Sequence, residues 1–164
     1  MSSRDLQDLL RSPKRPSDDE GGEPERPSVV IVDDDRGILE SLDFVLNERY
    51  ALTLCSSAEQ GVAAINDEVC AVILDVKMSV RDGFWACDEM RKKVPDLPII
   101  FYSGYQNMKD PYEIINEHRP FGYVVKGDDT STLLEMLEVA VMLQATIVAN
   151  RRLIRSLDIG GRVR

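Results

Sequence analysis

Four short apolar runs in the sequence end in residues that can handle a phosphoryl group or a hard cation. Asp33-Asp34-Asp35 follows Val29–Val32, and Asp75 follows Ala71–Leu74. Ser103-Gly104 follows Pro98–Tyr102, and Lys126 follows Gly122–Val125. One such residue alone has a dull explanation: an Asp after a strand often caps a helix, and a Lys there is often solvated. Together they describe a chemistry. Carboxylates crowded at one place repel, so one takes a proton or a cation binds. Hard oxygen ligands suit Mg²⁺, which prefers one or two carboxylates plus a phosphoryl oxygen. A carboxylate can attack phosphorus and form an aspartyl phosphate. A metal ion and a lysine would neutralise the negative charge that develops. The Ser103 hydroxyl could donate to a phosphoryl oxygen, with Gly104 leaving room beside it.

That reading requires the fold to gather residues that the sequence scatters over more than ninety positions. The pattern between them does so. Val29–Val32 is a continuous apolar run, as in a strand buried on both faces. A helix with Ile38, Leu42 and Val45 inward is expected next, then a weaker strand over Ala51–Cys55. Ser56 with Glu59 forms a capping box for a second helix, with Ala58, Val62 and Ile65 inward. The third strand, Ala71–Leu74, precedes a helix striped by Phe84, Cys87, Met90 and Val94. Asp110, Pro111 and Glu113 open a helix after the fourth strand. Thr132 with Glu135 marks the start of a long last helix after the fifth. Strands alternating with helices imply a doubly wound five-stranded parallel sheet covered on both faces. Ligands bind such sheets at the carboxyl ends of the strands, where all four groups stand.

Charge supports this placement. The total is −9, with a pI near 4.7, which argues against a nucleic-acid-binding body. Residues 1–28 carry net −2, residues 29–150 net −11 and residues 151–164 net +4. The acid excess therefore lies where a cation site is electrostatically reasonable. Three widely spaced cysteines, Cys55, Cys70 and Cys87, fit neither a disulfide frame nor a zinc site and suit a reducing cytoplasm. The longest apolar run, Val139–Ala149, is short for a bilayer, and no secretory signal is visible, so no membrane role is expected. Residues up to 27 are rich in Pro, Ser, Gly and charge and are expected to be disordered, apart from a hexad, Asp5–Leu10, able to form a helical turn on a partner.

Val-Asp33-Asp34, Leu74-Asp75-x-x-Met78, Asp82-Gly83, Ser103-Gly104 and Tyr123-Val-Val-Lys126 resemble the receiver domain of bacterial two-component response regulators. The likeness is to a stand-alone, chemotaxis-receiver-like form with an extended last helix, and covers about residues 28 to 145. It implies a flavodoxin-like sheet of strand order 2-1-3-4-5 flanked by five helices, with residues 1–27 as a tail and 146–164 as a helical extension and short tail. It implies a phosphoacceptor signalling module rather than an enzyme, able to catalyse its own phosphorylation and dephosphorylation. Asp75 would be the phosphoacceptor. Asp33, Asp34, Asp75 and the backbone carbonyl of Lys77 would hold Mg²⁺. Ser103 and Lys126 would contact the phosphoryl group, and Ser103 with Tyr123 would form the switch. The partner would be a sensor histidine kinase or a histidine phosphotransfer protein. Two departures stand out: Ser79 and Gly127 occupy positions where the family commonly has proline. A trans bond is expected before Gly127, because cis costs about 2.5–4 kcal/mol without proline. Lys77 and Tyr105 flank the expected phosphoryl position.

The last helix carries two apolar stripes. Leu134, Leu137, Val141 and Val148 read as the sheet-packing face. Leu133, Met136, Ala140, Leu143, Ile147, Asn150, Ile154 and Leu157 alternate by three and four, a heptad seam with one polar residue to fix register. Its free part, Leu143, Ile147, Asn150, Ile154 and Leu157, predicts a coiled-coil homodimer. Arg151, Arg152 and Arg155 suit the helix dipole near its C-terminal end. Seven residues follow Leu157, so no DNA-binding or enzymatic output domain is expected there. Two other readings compete: a degenerate receiver that only binds protein, and a haloacid-dehalogenase-like phosphatase using Asp33 and Asp35 with Asp33 as nucleophile.

Overall fold

The computed structural model describes residues 26–104, 111–127 and 130–160. Five strands alternate with five helices: β1 (Ser28–Val32), α1 (Arg36–Leu46), β2 (Ala51–Cys55), α2 (Ala58–Ala64), β3 (Val69–Leu74), α3 (Gly83–Lys93), β4 (Ile99–Ser103), α4 (Pro111–His118), β5 (Gly122–Val125) and α5 (Thr130–Gly160). All neighbouring strands pair parallel, in the order β2-β1-β3-β4-β5. This is the flavodoxin-like arrangement that the alternation predicts.

Period-two alternation divides the central strands between two cores. Val29, Ile31, Ala71, Ile73 and Ile100 face α1 and α5, where Leu39, Leu42, Leu46, Leu133 and Leu137 meet them. Val30, Val32, Val72, Leu74 and Phe101 face the other way, against Ala58, Ala86, Cys87, Met90 and Ile114. Each fully buried aliphatic side chain contributes about 1.5–3 kcal/mol, so the sheet centre is where the fold is held. The three cysteines are free and buried, as expected of core fillers.

Several local expectations need correction. The buried face of α1 is Leu39, Leu42 and Leu46, and Val45 is 44% exposed. The apolar arc of this helix is wide, and the structure seats it one residue away from the predicted stripe. The cap of α2 is Ser57, whose side chain accepts from Gln60 N, while Gln60 Oε1 accepts from Ser56 N at 2.9 Å. The box is thus Ser57 with Gln60 rather than Ser56 with Glu59. β3 starts two residues early, at Val69. The Asp110 cap and Tyr105 lie outside the described residues, as do residues 1–25.

α5 differs most. It begins at Thr130, so Thr132 is inside the helix. Leu133 and Ala140 are fully buried and Met136 is half-buried, so these belong to the domain rather than to a seam. Gln144, the polar residue in the apolar run, is buried on the sheet side. Leu143, Asn150, Ile154 and Leu157 are exposed, and Ile147 is half-buried. The arginines do more than face a dipole. Arg152 pairs with Glu68, and Arg155 with Asp67 at 2.5 Å, so the extension is tied to the α2–β3 loop. By length and composition Thr130–Leu157 could cross a bilayer, which the run Val139–Ala149 alone is too short to do. Its contacts instead make it the cover of one sheet face, through Leu133, Leu137, Ala140, Val141 and Val148.

Candidate functional site

The three consecutive aspartates after β1 do three different jobs. The Asp33 amide extends the sheet ladder to Cys55 O at 3.0 Å, which turns its carboxylate into the rim. There it is 2% exposed, and its Oδ1 accepts from Asp35 N at 2.9 Å. Asp34 is exposed, and its Oδ2 accepts from Ser79 N at 3.1 Å, which links the loops after β1 and β3. Asp35 is the N-cap of α1, accepting from Gly37 N and Ile38 N. A carboxylate committed to capping has no place in an Asp33–Asp35 catalytic pair, which weighs against the phosphatase reading.

Asp75 ends β3. Its amide donates to Val32 O at 2.8 Å, and its side chain is 4% exposed. Its Oδ1 accepts a long bond from Lys77 N at 3.4 Å, while Lys77 itself is exposed. The loop returns through Asp82-Gly83. Asp82 caps α3 by accepting from Trp85 N, and Gly83 N donates to Val76 O at 2.8 Å. A β-carbon on Gly83 would stand 2.2 Å from the Asp75 carbonyl oxygen, so only glycine permits this approach. Sequence reading placed Asp82-Gly83 by resemblance alone; its physical task is to hold the Asp75 backbone.

Lys126 completes the cluster. Its amide donates to Ser103 O at 2.8 Å, joining the ends of β4 and β5. Its Nζ lies 2.6 Å from Asp33 Oδ2 and 3.3 Å from Asp75 Oδ2. Ser103 is buried and hydrogen-bonds with Tyr123. No cis peptide occurs among the described residues, and Gly127 has φ +93°, a left-handed conformation that favours glycine. Gly104 borders open space, where a β-carbon would meet nothing within 4 Å.

Burial, aided by the Asp75 charge, holds the Asp33 carboxyl above its usual range despite the bonds from Lys126 and Asp35. Burial alone would lower Lys126, but the hydrogen bond and charge of Asp33, with Asp75, outweigh it and raise its pKa. Burial also raises Tyr123, against the Ser103 hydrogen bond and with the Asp75 charge. Carboxylate oxygens of Asp33, Asp34 and Asp75 all lie within 4.8 Å of one another. Among the described residues, acidic oxygens at the site exceed the one ammonium, Lys126, a donor set that fits a hard divalent cation.

Sequence reading missed one contact with a readable signal. Ser79 was noted only as a departure from proline, yet its N–H is what holds Asp34, and proline has none.

The profile of the response regulator receiver domain matches residues 29–138. The transcriptional regulatory protein GlrR of Escherichia coli (strain K12) is 27% identical over 125 residues, 75% of this chain and 28% of that protein. The transcriptional regulatory protein YvrH of Bacillus subtilis (strain 168) is 31% identical over 74% of this chain and 49% of its own length. The chain thus spans about a quarter to a half of these relatives. Among solved structures, a CheY-like response regulator receiver domain protein from Methanospirillum hungatei JF-1 aligns with TM-score 0.65 and 25% identity, over 74% of this chain and 98% of that one. The receiver domain of an HD domain-containing protein from Pseudomonas fluorescens Pf-5 aligns with TM-score 0.65 and 26% identity, over the same shares. With the profile covering most of the chain and the aspartates, serine and lysine gathered on one sheet rim, this protein belongs to the response regulator receiver domain family.

Proposed function

We propose that the chain accepts a phosphoryl group on Asp75 from a sensor histidine kinase or a histidine phosphotransfer protein in the cytoplasm. The observation that carries this reading is the buried Asp75 carboxylate, held by the Gly83 approach and faced by Lys126 at 3.3 Å. An Asp75 oxygen forms the new bond to phosphorus as the bond to the donor's imidazole nitrogen breaks. Lys126 offsets the charge developing on the phosphoryl oxygens, and Ser103 donates its hydroxyl to one of them. Asp33, Asp34, Asp75 and the Lys77 carbonyl would hold Mg²⁺, which when bound adds positive charge beside the phosphoryl group. Ser103, in turning toward that group, releases Tyr123 and changes the β4–β5 surface. The phosphodonor assay uses acetyl phosphate and intact mass. The wild type gains one phosphoryl group with Mg²⁺ present, and Asp75→Asn gains none. Labelling of Asp75→Asn that disappears in Asp33→Asn would overturn the assignment.

Proton competition at Asp33 gives a pH test. Its carboxyl is raised in the folded chain, so the charged form that binds a cation is lost as pH falls through that raised value. Apparent Mg²⁺ affinity should therefore begin to fall above the ordinary carboxylate range near pH 4. Calorimetric titrations across pH 4–7, or quenching of Trp85, would read it. The same pH dependence in Asp33→Asn as in the wild type would show that Asp33 does not take part.

The same reading gives an output through α5. Leu143, Asn150, Ile154 and Leu157 form an exposed stripe, with Ile147 at its half-buried edge, and this stripe pairs with a second copy. Ile147→Asp with Ile154→Asp should leave a monomer by light scattering that still labels on Asp75. A wild type that is monomeric at high concentration, phosphorylated or not, removes this output.

A further inference from the structure

At the rim opposite Asp75, where β1, β2 and β3 begin, the second half of α5 arches over a cavity of about 920 Å³. That is within the range of about 300–1,000 Å³ typical of binding sites. Val148 and Leu153 of α5 line it, with Arg152 beside them. Leu153 is 61% exposed, an apolar side chain facing a concavity that the described residues leave uncovered. Arg26, Pro27 and Ser28 form another part of the wall. We propose that this cavity receives the chain's own N-terminal segment, with Leu6, Leu9 and Leu10 as the inserted side chains.

Where the segment joins the domain carries the argument. Residue 25 is bonded directly to the wall at Arg26, so everything before it leaves from the cavity's edge. Met1 apart, Leu6, Leu9 and Leu10 are the only aliphatic or aromatic side chains, proline excluded, among residues 1–25. Their spacing of three and four puts them on one face of a helical turn. The stretch from Arg11 to Glu25 is Pro, Gly, Ser and charge throughout. Fifteen residues of that composition correspond to a chain dimension of about 20 Å, which would keep the leucines at an effective concentration near millimolar. The polar groups of the wall are already matched, Arg152 with Glu68 and Arg26 with the Asn47 carbonyl, so what the cavity leaves to an occupant is its apolar surface. At about 100° per residue, the cavity-lining positions of α5 lie about 140° around the helix from the Leu143–Leu157 stripe. A docked segment therefore leaves that stripe free, and the inference does not depend on phosphorylation or on pairing.

Hydrogen exchange on the full-length chain tests it. Amides of residues 145–156 should exchange at least fivefold faster in Leu9→Asp with Leu10→Asp than in the wild type, while β3 and β4 stay equally protected in both. Leu153→Glu, on the other side of the contact, should give the same acceleration. The difference should not change on tenfold dilution. Equal exchange in the wild type and the Leu9/Leu10 variant overturns the proposal. A difference that vanishes on dilution overturns it too, in favour of a second copy as the occupant.

Discussion

Lys126→Met should lower stability by about 3 kcal/mol at pH 7 without Mg²⁺, and most of that loss should return when Mg²⁺ is added. In the wild type the ammonium lies between two buried carboxylates, 2.6 Å from Asp33 and 3.3 Å from Asp75. Methionine keeps the length of the side chain and removes the charge. Two acidic groups then face each other with no cation between them. Removing one partner of a buried ion pair costs about 3–5 kcal/mol, and the lower end applies because the Lys126 side chain keeps 19% exposure. The sign of the pH effect follows from Asp33, whose folded pKa is already raised. Without Lys126 it rises further, so the deficit is fully present above that pKa and is relieved as pH falls through it. Urea denaturation at pH 7 and pH 5, with and without Mg²⁺, reads all of these. A loss unaffected by both proton and cation would mean that Lys126 acts through packing alone.

Gly83→Ala should cost about 3 kcal/mol and abolish phosphoryl uptake together. The added carbon would meet the Asp75 carbonyl oxygen at 2.2 Å and the Val76 α-carbon at 2.9 Å. These are backbone atoms at the end of a central strand, so no flexible side-chain tip can yield. Either the Gly83–Val76 hydrogen bond opens or the end of β3 moves. Overpacking costs about 1–3 kcal/mol and a lost hydrogen bond about 1. Gly104→Ala is the control, because a carbon there meets nothing within 4 Å and stability should change by less than about 0.5 kcal/mol. If both variants denature at the wild-type midpoint, the close approach at Gly83 is not rigid.

The sheet and the membership of its rim were legible because both depend on residue type. Apolar runs of strand length can be seen, and so can an aspartate, a serine and a lysine at their ends. The division of labour within Asp33-Asp34-Asp35 was not, because it depends on which way the loop turns each carboxylate. Asp35 becomes a cap only because α1 starts at Arg36. The α2 cap moved by one residue, to Ser57, because neighbouring serines are equivalent on paper, and α5 starts two residues before Thr132, at Thr130. α5 was hardest to read. Apolar side chains occupy most of its circumference, so sequence could not choose between Leu134 and Leu133 as the inward residue. Leu137, Val141 and Val148 are inward as expected, and burial of Leu133, Ala140 and Gln144 beside them extends that face toward Leu133.

α5 runs without interruption from Thr130 to Gly160, and among the described residues Val148 is the last one buried against the sheet. From there to Gly160 it advances about 18 Å. The last turn therefore takes both its distance and its heading from the domain. Each added residue lengthens the arm by about 1.5 Å and turns its end by about 100°. Two extra residues after Arg155 would therefore point the end almost backwards, while four would bring it within about 40° of its first heading. The helix works as a ruler with a dial: its residue count alone fixes how far from the sheet, and at what angle, its last turn stands.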